Sequence, residues 1–308
     1  MLITYIPAYT QVLVKKRATL MGSVFEITVT DTDSSSAAEN IRLVTEEVTR
    51  IENLISEWQA ETQISEVNRN AGIQPVKVDR EVFELTQRAI GYSVMSGGAF
   101  DISIAALDKI WVFDGSMTEV PDAGLIRGSI ERVGYEHITL DSIHSTIYLT
   151  RPGMRIGFGS IGKGYAADKG RELMQRRGIK GGIVNASGDI ATWGRQPGGK
   201  PWYIGVSNPF KLHRIIKTLK LTEGAVATSG NYQQYAEING VRYTHIINPA
   251  TGYPTTGLAS VTVWGPSAEF ANALSTSIMV LGKKKGRKLI KNFPLYKCMV
   301  VQERRSAL

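Results

Sequence analysis

Near the C-terminal end, Ala271-Asn272-Ala273-Leu274-Ser275-Thr276 carries three oxygen-bearing side chains in a short space. Asn272 and Thr276 are four apart, so on a helix their oxygens converge on one point. A hard divalent cation such as Mg2+ takes oxygen ligands and keeps waters. The plainer alternative is that these groups bond only to neighbouring backbone. Upstream, Arg155-Ile156-Gly157-Phe158-Gly159-Ser160-Ile161-Gly162-Lys163-Gly164-Tyr165 is glycine-rich. If it leads from a strand into a helix, outward N–H groups and the helix dipole favour an anion there, and Lys163 adds a cation. That describes a phosphate cradle, or a tight turn that binds nothing. Gly157, Gly159 and Gly162 satisfy G-x-G-x-x-G, the dinucleotide fingerprint of a Rossmann-type oxidoreductase. The acidic residue expected further on is missing, because the next strand ends near Asn185. Gly164 stands where a Walker A loop needs Ser or Thr. Finally, Tyr243-Thr244-His245-Ile246-Ile247-Asn248-Pro249 delivers His245 from a strand just before a turn. Functional residues gather at such junctions, although a lone strand histidine is often structural. G-x-S-x-G, HExxH and H-x-x-x-H are all absent, so neither a serine-hydrolase triad nor a zinc pair is signalled.

These residues need a framework. Phe25, Ile27 and Val29 alternate with polar neighbours, which predicts a half-buried strand. Ile41, Val44, Val48, Ile51 and Ile55 fall on one stripe of an amphipathic helix. Glu57 to Gly72 reads as a polar loop. A second helix follows, with Asp79 as its cap and Val82, Leu85, Ala89 and Tyr92 facing inward. Short strands are expected around Ile138 and Ile147, with a further strand-like piece at Met154-Arg155-Ile156. A helix then ends at Gly178. Strands around Ile183, Ile190, Ile204 and Ile215–Leu221 come next. Tyr235 to Ile247 reads as a hairpin turning at Asn239-Gly240. After a strand at Val261-Thr262-Val263, the last helix runs from Ser267 to just before Gly282. Phe270, Leu274, Ile278 and Leu281 form its apolar stripe, and most of the remainder is apolar too. Such a helix is buried, so its small polar patch must find partners. Many strands, few helices and no strict alternation predict an α+β fold with mainly antiparallel sheets.

Composition narrows the classes. The 308 residues are 43% hydrophobic and 21% charged, which predicts a packed core and excludes wholesale disorder. The net charge is +8 and the pI about 9.4. That favours acidic partners, but the basic runs are short and no nucleic-acid-binding module accompanies them, so no nucleic-acid partner is expected. Cys298 stands alone in an apolar run and reads as a core residue, which leaves no disulfide framework. No stretch is long and apolar enough to span a membrane. Met1 to Val14 has no clear leader, and no early Cys offers a lipid attachment point. The expectation is either a protein that stays inside the cell or a sequence that begins after a removed leader.

Taken together, the segments resemble the ApbE-type FAD:protein FMN transferases. The matching stretches are Met21-Gly22-Ser23; Trp58 leading to Ser65-Glu66-Val67-Asn68; Gly98-Ala99-Phe100-Asp101-Ile102; Gly159 to Asp168; Ala227-Thr228-Ser229-Gly230; His245 to Pro249 with Thr251-Gly252; and Ala271 to Thr276. They occur in family order. The resemblance implies a T-fold-like core of mainly antiparallel sheets with packed helices, in two subdomains with the flavin site between them. The family domain is expected over 15–290, with 1–14 as an N-terminal segment and 291–308 as a C-terminal strand and tail. It also implies Mg2+-dependent transfer of FMN from FAD to a Thr or Ser hydroxyl of an acceptor flavoprotein, releasing AMP. The acceptor would be a subunit of a membrane electron-transfer complex. The location would be periplasmic or on the outer face of the inner membrane, with membrane association only through a missing lipid anchor; the alternative is cytoplasmic.

By matching positions, Met21, Trp58, Ala99, Phe100, Asp101, Gly159, Tyr165 and Ile246 resemble the flavin or adenosine contacts. Gly162 (through its carbonyl), Asn272, Ser275 and Thr276 resemble the metal site. His245 resembles a residue implicated in activity, and Lys163 and Asp168 are candidates for charge stabilisation and orientation. Two positions depart from the pattern: Asn272 and Asn248 stand where the family commonly has Asp. An amide oxygen still coordinates a cation, but without the anion it binds more weakly. This keeps open an FAD pyrophosphatase, or a protein that holds FAD without transferring it. A Rossmann-type oxidoreductase is the further alternative.

Overall fold

The structure is a computed structural model and describes residues 11–107, 110–231 and 235–303. The expectations for Met1 to Thr10 and for Arg304-Arg305 onward lie outside the described residues. β1 (Val12–Leu20) and β2 (Ser23–Asp31) pair antiparallel around the turn Met21-Gly22. Both turn residues have positive φ, 50° and 66°, the primed geometry whose twist matches the strands. A methionine held there is strained, and such strain collects at functional positions.

α1 (Ser34–Ile55) starts at Asp33, whose carboxylate accepts the N–H groups of Ser35 and Ser36. Its buried face includes the five residues that the helical period picks out. The next segment is not the loop its polarity predicts: it folds into α2 (Gln63–Arg69), capped by Thr62. Only Ile64 and Val67 supply its apolar burial, too few for a period to show in the sequence. β3 (Val76–Lys77) and α3 (Arg80–Ser96) follow. Asp79 flanks α3 as expected, but its side chain makes no capping bond. A 3-10 segment (Ile102–Leu107), α4 (Ala123–Ile130), β4 (Ile138–Asp141) and β5 (Thr146–Leu149) lead to α5 (Ile161–Arg176). The remaining elements are β6 (Gly181–Ala186), β7 (Asp189–Gly194), β8 (Trp202–Asn208), β9 (Lys211–Leu221), β10 (Gly224–Gly230), β11 (Tyr235–Ile238), β12 (Val241–Thr244), β13 (Leu258–Gly265), α6 (Ala268–Ile290) and β14 (Lys297–Gln302). The last helix starts at its expected cap, Ser267, and breaks at Gly282 (φ 73°, ψ 171°) before a second helical stretch continues to Ile290.

The main sheet has seven strands in the order β1-β2-β6-β7-β10-β13-β14, and every described pairing is antiparallel. It reaches from Val12 to Gln302, across both expected domain edges. α1, α5 and α6 pack on one face around Phe25, Ile27, Val44, Ile51 and Tyr165. The β8–β9 ribbon covers part of the other face through Ile204, Val206 and Leu219. The fold class is therefore α+β with mainly antiparallel sheets. This removes the Rossmann reading of the glycine pattern, which needs a parallel βαβ unit. The expected strand at Met154-Arg155-Ile156 is irregular backbone, fixed by Asn68, whose amide donates to the Ile156 carbonyl at 2.9 Å and accepts its N–H at 2.8 Å.

Candidate active site

α5 and α6 meet at their N-terminal ends with no side chain between them. A Cβ on Gly164 would stand 2.7 Å from the Ala268 carbonyl oxygen, so only glycine permits this approach. One turn further along α5, Asp168 locks the junction. Its Oδ1 accepts from Arg171 Nη2 at 2.9 Å, and its Oδ2 accepts from Ser267 Oγ at 2.8 Å and from the Glu269 N–H at 3.0 Å. Burial raises this carboxyl, and the Arg171 charge and the α6 amides oppose the rise. With both oxygens occupied, Asp168 is arranged to orient α6 rather than to take up a proton.

α6 then turns its polar patch toward the sheet. Asn272 Nδ2 donates to Asp189 Oδ2 at 2.9 Å, and Thr276 Oγ1 donates to Asn272 Oδ1 at 3.3 Å. The Ser229 hydroxyl, near the end of β10, bonds the Ser275 hydroxyl at 2.8 Å and that of Thr276 at 3.3 Å. The buried polar patch thus has the partners that its burial demands, and Asp189 is the one sequence reasoning missed. Asp189 opens β7 after a tight turn in which Ser187 and Gly188 have φ of 55° and 106°. In sequence it looks like an ordinary turn aspartate. In space it is buried, and burial pushes its carboxyl up to about 7 against the Asn272 bond and the nearby Lys163 charge. That charge belongs to the first turn of α5.

The donor set fits a hard cation. It offers a carboxylate at Asp189, an amide oxygen at Asn272, and hydroxyls at Ser275 and Thr276. Among the described residues no group of three His, Cys, Asp or Glu side chains forms a metal cluster, so a cation here would draw mostly on neutral oxygens.

A second set of residues lies around the segment that enters α5. Met21, at the strained hairpin tip, donates its N–H to Glu52 at 2.8 Å, and its Cε stands 3.5 Å from where a Cβ on Gly162 would be. A surface cleft of about 240 Å³ is lined by Glu57, Trp58, Ser65, Asn68, Arg69 and Arg155. Trp58 is 73% exposed, a flat apolar surface beside two arginines. Gly157 and Gly159 pass beside Glu57; a Cβ on Gly157 would come within 2.7 Å of its carboxylate. The Gly157 N–H donates to the Ile102 carbonyl at 3.0 Å, which ties the Ala99-Phe100-Asp101 loop to the same segment. Asp101 holds that loop in shape: Oδ1 accepts from the Ser103 N–H and hydroxyl, and Oδ2 accepts from the Tyr135 N–H.

Met21, Trp58, Gly159, Gly162 and the Ala99–Asp101 loop therefore surround one stretch of chain. Two expected flavin contacts point elsewhere. The Phe100 ring is buried against the edge of Tyr92. The Tyr165 hydroxyl donates to Glu81 on α3 at 2.6 Å, under Arg88 and Lys169. Both side chains are committed to the core. His245 is half-buried, edge-on to Phe113 with ring centres 6.5 Å apart. Phe113 stacks on Trp111, which also stacks on Tyr243 and bonds the Gly252 carbonyl. Ile246, beside His245, is buried under α6.

The model of the ApbE family matches residues 21–300. The chain belongs to the ApbE family. Among curated members, it is 33% identical over 271 residues to an FAD:protein FMN transferase of Klebsiella pneumoniae, covering 87% of this chain and 83% of that one. It is 31% identical over 258 residues to the transferase of Treponema pallidum, covering 79% and 71%. Among solved ApbE structures, the Thermotoga maritima protein superposes with a TM-score of 0.87 at 31% identity, covering 94% of each chain. The flavin transferase ApbE from Vibrio cholerae gives 0.84 at 25% identity, covering 96% and 95%.

Proposed function

We propose that this chain transfers FMN from FAD to a Thr or Ser hydroxyl of an acceptor flavoprotein, with release of AMP. Its ApbE membership supports an FAD:protein FMN transferase. The observation that carries the finer reading is the oxygen-lined cluster of Asp189 with Asn272, Ser275 and Thr276 of α6, the helix whose first turn packs against α5 at Gly164.

The acceptor hydroxyl oxygen bonds to the FMN phosphorus while the bond from that phosphorus to the bridging oxygen breaks. AMP leaves with that oxygen and its electron pair. Such a reaction asks the protein mainly to position groups and neutralise charge. Trp58 offers a face for a planar ring, and Lys163 places a cation at the entry of α5, where the helix dipole already favours an anion. Asp168 and Arg171 keep α6 in register with α5. A Mg2+ ion held by Asp189, Asn272, Ser275, Thr276 and the Gly162 carbonyl would neutralise diphosphate charge. His245 is the group best suited to take the hydroxyl proton.

The finer architecture belongs to the same reading: a T-fold-like core in two subdomains with the flavin between them. So do the partner and place: a flavin-carrying subunit of a membrane electron-transfer complex, met in the periplasm or on the outer face of the inner membrane. Among the described residues no helix is long and apolar enough to cross a membrane. The test is incubation with FAD, Mg2+ and an acceptor bearing a flavinylation motif. A fluorescent acceptor band with stoichiometric AMP is the expected result. AMP with free FMN and no band would make the protein a pyrophosphatase, and tight FAD binding without AMP would make it a carrier.

A further inference from the structure

We propose that Asp189 is the anionic ligand of the divalent-cation site in this chain, supplying from a strand the charge that Asn272 does not supply from the helix. This rests on the reading that the junction holds a cation against a diphosphate.

Three observations lead to it. First, Asp189 is 5% exposed, yet it accepts only the Asn272 bond; its Oδ1 takes no hydrogen bond from the described residues. Oδ1 is not among the fully enclosed atoms left without a partner, so it opens onto space that solvent reaches, where a cation can complete it. Lys163 acts on it electrostatically but forms no ion pair with it within 4.0 Å. Second, the bare oxygen belongs to a side chain whose other oxygen is already clamped to Asn272. That asparagine in turn shares its own oxygen with Thr276, so carboxylate, amide and hydroxyl form one connected chain from β7 to α6. A cation that took Asn272 and Thr276 would have Asp189 beside it. Third, the residues at 189 and 272 specify each other. At 2.9 Å, a carboxylate needs a donor opposite, and Asn272 Nδ2 is that donor. An aspartate at 272 would put two acidic groups in contact, which with no cation between them a buried site tolerates only by keeping a proton on one of them. One negative charge shared across the pair, with the amide on the helix and the acid on the strand, is the arrangement this chain adopts.

The test is Mn2+ titration of the full-length protein, with and without FAD, read by the loss of the free-ion EPR signal. Asp189→Asn should weaken Mn2+ binding about ten-fold or more. The exchange Asp189→Asn with Asn272→Asp keeps one acid facing one amide and should recover affinity to within about three-fold of the parent, since ligand type and charge are unchanged. Asp189→Asn within two-fold of the parent would overturn the assignment. So would an exchanged protein that folds yet binds as weakly as the single variant, and so would a parent that binds no Mn2+ even with FAD. If the single variant does not fold, the exchanged protein alone decides between recovered and lost affinity. The transfer assay separates this from the functional reading. Asp189-dependent Mn2+ binding without AMP formation would sink the transferase and keep the ligand. Acceptor flavinylation with Asp189-independent Mn2+ binding would do the reverse.

Discussion

Removing the Asp168 carboxylate is the sharpest test of how the two helices are held. Asp168 and Arg171 are 8% and 11% exposed, so the pair is buried on both sides. Stripping one partner from a buried pair costs about 3–5 kcal/mol, mostly as the stranded charge. Arg171 would keep two acceptors, the Pro266 carbonyl at 2.9 Å and the Gly224 carbonyl at 3.3 Å, which argues for the lower end. The Ser267 hydroxyl and the Glu269 N–H would also lose their acceptor, adding about 1 kcal/mol. Asp168→Ala should therefore lower the free energy of unfolding by about 3–4 kcal/mol. Urea denaturation of Asp168→Ala, Arg171→Ala and the double variant would measure this, with a coupling of about 1.5 kcal/mol or more between the two sites. Asp168→Asn separates a clamp from a proton acceptor. A clamp loses stability and Mn2+ affinity together, whereas a base would lose turnover while the protein stayed as stable as before. A coupling under about 0.5 kcal/mol, or an Asp168→Ala protein within about 1 kcal/mol of the parent, would refute the reasoning.

Gly164→Ala would drive a Cβ to 2.7 Å from the Ala268 carbonyl oxygen; overpacking of this kind costs about 1–3 kcal/mol, and a lower melting temperature with weaker Mn2+ binding should be seen together. Trp58→Ala should leave the melting temperature unchanged, because the side chain is 73% exposed, while raising the KM for FAD in a transfer assay. Burial draws the Glu81 carboxyl upward, but Arg50 and the Tyr165 hydroxyl outweigh it and hold the group below the usual carboxylate range. A depressed carboxyl stabilises above its unfolded value, about 4.3, and that gain disappears as pH falls through the folded value. Glu81→Gln should thus melt earlier than the parent at pH 7, with the gap closing toward pH 3 in a melting series. Chelation with EDTA should stop AMP release and acceptor labelling together, and added Mg2+ should restore both.

Elements with long apolar periods were legible in the sequence. α1, the cap at Ser267, the hairpin at Asn239-Gly240 and the antiparallel α+β character all follow from period and turn chemistry. α2 was not, because a short helix with two buried apolar residues leaves almost no period to detect. The strand expected before the glycine loop failed for a different reason. Met154 and Ile156 are buried like strand residues, yet their backbone bonds go to turns and to Asn68 instead of a neighbouring strand. The side chains expected at the flavin divide in the same manner: positions matching the family marked Phe100 and Tyr165 as contacts, but only packing shows that Phe100 lies against Tyr92 and that the Tyr165 hydroxyl bonds Glu81.

The departure at Asn272 shows why a site has to be judged in three dimensions. Along the sequence, replacing an acid by an amide looks like a loss, and it invites the conclusion that the cation binds weakly. The amide, however, touches a carboxylate from a strand 83 positions earlier in the chain. That carboxylate is buried and incompletely satisfied, and it lies near the cation on α5. Coulomb interactions depend on where a charge sits, not on which backbone carries it, so a carboxylate on the strand that touches the Asn272 amide can act on the same cation as one on the helix. An acid at 272 with Asp189 retained would set two carboxylates in contact wherever no cation lies between them, so the familiar residue restored alone removes the bond that this chain makes, in which the asparagine donates to the strand carboxylate.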